Sequence, residues 1–230
     1  MKKHIAIFSL PGRGKRNEFI PLIEDQTLHA EWVKPEDYWR QFPDGADVIV
    51  LPGSAATVTD MQHMRTSGGD KIVLDHVRAG KVVVGICGGF QLLGQTLYNP
   101  LKNQGDATEI EGLGLLPIAT LFGATLISTD TTATCLFAPD GQTLVKGEEH
   151  RSGYSWRTNR SGRYTHLNKD VQRVPQKKAL PAGSRKLMPG KLWAPGREKF
   201  DGLVRQDRLV WGTYIHLIFH NEGFRQAVLG

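Results

Sequence analysis

Val82-Val83-Val84-Gly85-Ile86-Cys87-Gly88-Gly89-Phe90-Gln91-Leu92-Leu93-Gly94 runs a β-branched stretch straight into a cysteine and two glycines that open a helical pattern. The stretch is apolar on both faces, as expected of a central strand in a parallel sheet with helices on both sides. Strand, turn and helix in this order place Cys87 at a nucleophile elbow. A turn this sharp needs small neighbours, and Gly85, Gly88 and Gly89 supply them. The helix that follows turns its N-terminal N–H groups and positive dipole end toward the sulfur, which favours a thiolate. The same donors, that of Gly88 foremost, can hold an oxyanion formed on an amide. Taken alone, the pattern equally fits a buried, inert cysteine at the end of a core strand.

Outward from this stretch, short β-rich runs alternate with helical patterns. HIAIFSL (4–10), NEFIPLIED (17–25), TLHAEWV (27–33), ADVIVLPG (46–53), GGDKIVLDHVRAG (68–80), KVVVGIC (81–87) and GGFQLLGQTLY (88–98) follow one another in βαβα order. The pattern predicts an α/β fold with a doubly wound, mainly parallel sheet. The second half is richer in Thr, Gly and turn signals. TLFGATLIST (120–129) and DRLVWGTYIH (207–216) are the expected strands, with a loop at 138–143 and a last helix at 221–229, and these strands are expected as antiparallel additions.

Two further segments bear on chemistry. Val48–Leu51 ends in Pro52-Gly53, and ligands in open α/β sheets sit outside the carboxyl ends of such strands. Gly53 is thus a candidate second oxyanion donor, although a strand-ending Pro-Gly turn is the plainer interpretation of that dipeptide. Trp211–His216 ends a late strand in a histidine, which at the same sheet edge could act as base for Cys87. An isolated histidine is more often structural.

A chain of 230 residues fits one domain, 1–230, and its 40% hydrophobic and 23% charged composition is that of an ordinary globular protein. No apolar run approaches a membrane span, and the N-terminal apolar stretch is cut by Pro11-Gly12, too early for a signal-peptide core. With two cysteines, a reduced, cytoplasmic setting is the expectation. The net charge of +6 is localised, because residues 157–208 hold fourteen Lys/Arg against four Asp/Glu, leaving the remainder at −4. Residues 157–200 form a basic, Pro- and Gly-containing insertion without a nucleic-acid motif, so a nucleic-acid role is not expected; a solvated loop or a docking surface for an acidic partner remain open. No metal-ligand spacing is present. Gly12-Arg13-Gly14-Lys15 falls short of a phosphate-binding loop.

Four segments together resemble the glutaminase domain of the cobyric acid synthase family, within the class I, triad-type glutamine amidotransferases. LPGSAATVTDM resembles that family's LPGS segment, GICGGFQLLG its nucleophile segment, EGLGLLP its mid-domain segment and GTYIHLIFHNEGFR its histidine segment, in order over most of residues 4–226. The resemblance implies a flavodoxin-like fold, Cys87 as nucleophile, His216 as base, and Gly53 and Gly88 as oxyanion donors, with Gln91 lining the glutamine site. Glu148 and His150 fall on the family's Glu-x-His pair, on the substrate-facing side. Where the family usually has Gly after the base, this chain has Leu217, and no acid follows at the usual place, so a Cys/His dyad is implied, with Glu222 as a candidate orienting acid. The implied reaction is glutamine hydrolysis through a thioester, supplying ammonia for amidation of a carboxylate in the cobalamin pathway. No cofactor is implied in this chain; ATP and Mg²⁺ are expected on a separate synthetase partner. The alternatives are a glutaminase subunit for another acceptor such as a peptidoglycan precursor, a cysteine γ-glutamyl peptidase, and a non-catalytic binding module.

Overall fold

The computed structural model describes residues 2–12, 14–138, 141–158, 164–175 and 200–229. Its main sheet is built on β1 (Lys3–Phe8), β2 (Leu28–Val33), β3 (Val48–Leu51) and β4 (Val82–Ile86), joined by β9 (Tyr164–Thr165), β12 (Leu203–Arg205) and β13 (Val210–Thr213). The spatial order is β2-β1-β3-β4-β13-β12-β9. The first five strands are parallel and the last two antiparallel. This is the doubly wound, flavodoxin-like arrangement with antiparallel additions. β3 is buried along its whole length, which is why its sequence shows no polar alternation.

The middle of the chain forms a second sheet of six strands. β5 (Thr96–Tyr98), β6 (Glu109–Glu111), β7 (Ile118–Cys135), β8 (Thr143–Arg157), β10 (Asn168–Pro175) and β11 (Phe200–Asp201) build it, with β7 and β8 as a long antiparallel pair. The expected strand at 120–129 is therefore the middle of an eighteen-residue strand. β8 carries Lys, two Glu, His and Arg, poor strand formers, and finds its stability in pairing with β7 and in the bridge from Glu148 to His216. Most of the basic insertion lies outside the described residues. Within its described part, Arg173 pairs with Glu149 at 2.7 Å, and just beyond it Arg205 pairs with Asp207 at 2.8 Å, so some of the local charge is neutralised. Among the described residues, no helix is long and apolar enough to cross a membrane.

Helices differ from expectation in informative ways. NEFIPLIED splits into a 3-10 turn at Arg16–Phe19 and a single helical turn, α1 (Ile20–Ile23), with Pro21 in its first positions. A second short turn, α2 (Tyr38–Gln41), follows β2. α3 (Thr57–Ser67) had no apolar stripe to announce it, because it buries Thr57 and Asp60 along with Val58, Met61 and Met64. α4 (Gly69–Arg78) is followed by Gly80 at φ 75°, the expected C-terminal stop. α5 (Gly88–Leu92) is shorter than GGFQLLGQTLY predicts, since the chain breaks at Gly94 and re-enters as β5. α6 (Glu222–Leu229) closes the described chain.

α5 lies against β3 at a distance only glycine permits. A Cβ on Gly89 would sit 1.9 Å from the Leu51 carbonyl oxygen, and one on Gly85 2.6 Å from the Gly89 carbonyl. Both obstacles are main chain, one in β3 and the other in α5, and cannot yield cheaply. Gly89→Ala is therefore expected to cost about 3 kcal/mol or more, read as a fall in the urea midpoint at unchanged m-value.

Candidate active site

Strand register assembles the site. Leu51 pairs with Gly85, and Thr213 pairs with Ile86. Gly53, Cys87 and His216 each lie within three residues of one of these paired ends, so all three emerge on one edge of the sheet. The edge adjoins the place where strand order reverses, β2 lying on one side of β1 and β3 on the other.

Cys87 has φ 50° and ψ −102°, a sparsely populated conformation for a non-glycine residue. It is held there from both sides: its N–H donates to the Thr213 carbonyl at 2.7 Å, and its carbonyl accepts from Gln91 N at 3.1 Å. Sγ donates to the His150 carbonyl at 3.4 Å. Gly88 begins α5, so its N–H has no intrahelical acceptor. A Cβ on Gly88 would meet Ser54 N at 2.7 Å, and one on Gly53 would meet His216 Cε1 at 2.7 Å and Cys87 Cβ at 3.7 Å. Gly53 and Gly88 thus form facing walls around the cysteine, where two backbone donors could converge on an oxyanion.

His216 is held by a residue that sequence reasoning missed. Nδ1 lies 3.1 Å from Glu18 Oε2, and the N–H of Leu217 donates to Glu18 Oε1, also at 3.1 Å. Glu18 is fully buried although it sits on the 3-10 turn before α1. Glu222, the acid considered from the sequence, is exposed on α6 and accepts from Gln226 instead. With Nδ1 on the carboxylate, Nε2 is left buried and without a hydrogen-bond partner among the described residues. Burial by itself would push the imidazole pKa down; the charge of neighbouring Cys87, then Glu18, outweighs it and pushes the value up to about 10. The resting histidine is an imidazolium whose Nδ1 faces Glu18.

The Glu-x-His pair lies beside these groups. Glu148 and His216 exchange backbone hydrogen bonds of 3.2 and 2.7 Å as an isolated bridge, which ties β8 to the segment that follows β13. His150 Nε2 reaches Glu148 Oε2 at 2.7 Å and its Nδ1 meets Ser128 Oγ at 2.8 Å. Hydrogen bonds from His150 and then Lys15 hold the Glu148 pKa down to about 2. Gln91 takes a supporting position: it is 3% exposed, its Oε1 accepting from Thr57 and its Nε2 donating to Tyr214. Behind this wall is a cavity of about 410 Å³ that shares Phe90 and Tyr214 with it; neither Cys87 nor His216 lines that cavity.

Residues 2–224 match the family of CobB/CobQ-like glutamine amidotransferase domains. Among curated relatives, a cobyric acid synthase of Synechocystis is 28% identical over 98% of this chain and 39% of its own length. One of Caldanaerobacter subterraneus is 31% identical over 98% of this chain and 40% of its own. The chain thus spans about two fifths of these relatives. Among solved structures, PurLQS from Thermotoga maritima superposes with TM-score 0.60 at 16% identity over 100% of this chain and 98% of the other. A glutamine amidotransferase from the same organism gives 0.51 at 11% over 94% and 76%. At such identities these likenesses speak to the fold.

Removing the charge on either side of His216 lowers its pKa. In Cys87→Ala the histidine should titrate well below 10, and in Glu18→Gln also lower than in the parent, each followed by NMR of ring-labelled histidine. The sign for stability follows from linkage. A folded pKa above the ordinary value near 6.5 stabilises the fold fully below about pH 6.5, and that stabilisation is lost as pH rises through 10. Denaturation measured from about pH 6 to 10 should show less alkaline loss in Cys87→Ala than in the parent.

Proposed function

The chain belongs to the family of CobB/CobQ-like glutamine amidotransferase domains, and from that premise we propose that it is the glutaminase component of an amidotransferase, releasing ammonia from glutamine through a Cys87 thioester. The observation that carries this reading is the strained cysteine beside a buried histidine that is itself held by a buried carboxylate.

The reaction proceeds by attack of the Cys87 thiolate on the carboxamide carbon of glutamine, with the carbonyl oxygen between the N–H groups of Gly53 and Gly88. The His216 imidazolium gives its Nε2 proton to the leaving nitrogen, the C–N bond breaks, and ammonia departs from a glutamyl thioester. The neutral imidazole then takes a proton from water as it adds to the thioester carbon. The C–S bond breaks, glutamate leaves and the thiolate–imidazolium pair is restored. Glu18 keeps the imidazole oriented through Nδ1, the part a third residue plays in related triads.

Ammonia made here needs an activated acceptor. An ATP-dependent synthetase would supply that activation, in keeping with the synthase names of the relatives. The names of those relatives favour an acceptor carboxylate of the cobyric acid synthase kind.

Purified protein should release glutamate and ammonia from glutamine, and Cys87→Ala and His216→Ala should each lower the rate by about three orders of magnitude. Addition of the cognate synthetase with ATP and acceptor should raise glutaminase turnover roughly tenfold. A folded protein that hydrolyses γ-glutamyl peptides but never glutamine, with or without synthetase, would move the assignment to a peptidase.

A further inference from the structure

Cys87 and His216 are 4% and 5% exposed, so a free amino acid reaches the sulfur only when a covering group moves aside. Gly14, after β1, and Glu148, on β8, both approach this place. Gly12 and Gly14 are anchored on the oxyanion side: Gly12 N donates to Asp60 Oδ1 at 2.7 Å, Gly12 O accepts from Ala55 N at 3.2 Å, and a Cβ on Gly14 would lie 2.5 Å from Gly53 O. From this anchor Lys15 crosses to Glu148, Nζ to Oε2, at 3.0 Å. Glu148 is bonded through its main chain to His216, and two residues on, the His150 carbonyl accepts the Cys87 thiol. The ion pair therefore bridges the crevice next to both reacting side chains.

The pair is made to be exchanged. Both side chains are substantially exposed, and such ion pairs contribute little to stability. Glu148 uses Oε2 for both of its bonds, to Lys15 and to His150, leaving Oε1 without a protein partner among the described residues. The Lys15 ammonium, with three donors, makes a single bond. His150, fixed by Ser128, holds Glu148 in place while the longer lysine can swing. The α-carbon of glutamine carries an ammonium and a carboxylate, two methylene groups away from the carboxamide carbon that Cys87 attacks.

We propose that Lys15 and Glu148 form a clamp for the amino-acid end of the substrate: the bridge opens as glutamine enters, Lys15 binding its α-carboxylate and Glu148 Oε1 its α-ammonium. The inference rests on the glutaminase reading and adds to it the groups that select a free amino acid over a plain amide or a γ-amide lacking either charge. Lys15, in a run too short of the pattern for a phosphate loop, thereby acquires a role in carboxylate recognition.

The test compares Cys87-dependent ammonia release by the full chain, with its synthetase where turnover requires it, for the parent, Lys15→Met, Lys15→Arg and Glu148→Gln. Lys15→Met and Glu148→Gln should each raise KM for glutamine roughly ten- to a hundredfold with kcat much less affected, and Lys15→Arg should recover most of the loss. Two truncated amides, read as substrates or as competitive inhibitors, separate the two charges. Lys15→Met should not further weaken 4-aminobutanamide, which lacks the carboxylate, and Glu148→Gln should not further weaken glutaramic acid, which lacks the ammonium. Thermal unfolding of each variant establishes that the fold is retained. A parent that turns over glutamine while both folded variants keep its KM, or lose glutamine and truncated amides equally, overturns the clamp and leaves the glutaminase reading standing. A parent with no Cys87-dependent release under any condition removes both.

Discussion

The main-chain contact between α5 and the middle of the parallel sheet fixes the place of Cys87. Gly89 sits against the Leu51 carbonyl and Gly85 against Gly89, so α5 can approach β3 and β4 only because neither position carries a Cβ. That approach forces the preceding residue into a positive φ, and the hydrogen bonds to Thr213 and from Gln91 keep Cys87 there. Strain of this sort persists only where the surroundings over-determine the backbone. Here they include two parallel strands, a helix start and the wall of Thr57, Gln91 and Tyr214 behind it. The sulfur's position is thus a property of the sheet rather than of a mobile loop.

Charge placement follows from that position. A buried imidazolium is costly unless it is paired, and here it has a cysteine on one side and a fully buried glutamate on the other. Glu18 also accepts the N–H of Leu217, a non-glycine residue at φ 59°. A left-handed leucine costs roughly 1–2 kcal/mol. The carboxylate bond to its N–H offsets part of that cost while orienting the ring, so a single side chain holds both His216 and the bend that delivers it.

How much of this was legible beforehand depended on whether the signal was local. The β4–α5 elbow could be read directly, because strand, cysteine and paired glycines adjoin in sequence. His216 and Gly53 needed register, which periodicity does not give; they became legible through four segments taken together. Glu18 was invisible, since an acid in a short, Pro-containing turn looks like a solvated surface residue, and only the tertiary fold buries it. α3 escaped for the opposite reason: it fills its buried face with Thr and Asp as well as Val and Met, so no apolar stripe marks it. The second sheet was under-read because β8 draws its strand character from pairing with β7 and not from its own charged sequence.

Glu18 and His216 stand 198 residues apart in the chain, and Cys87 lies between them. Closing a loop of that length is an entropic cost met only once the central strands have paired in register. A partly folded chain can therefore possess the thiol, or even the elbow, and still lack an oriented His216. Glutamine would not be wasted by incomplete molecules, and the onset of turnover during refolding would mark the arrival of the last strand and of the N-terminal turn together, a built-in report on the completion of folding.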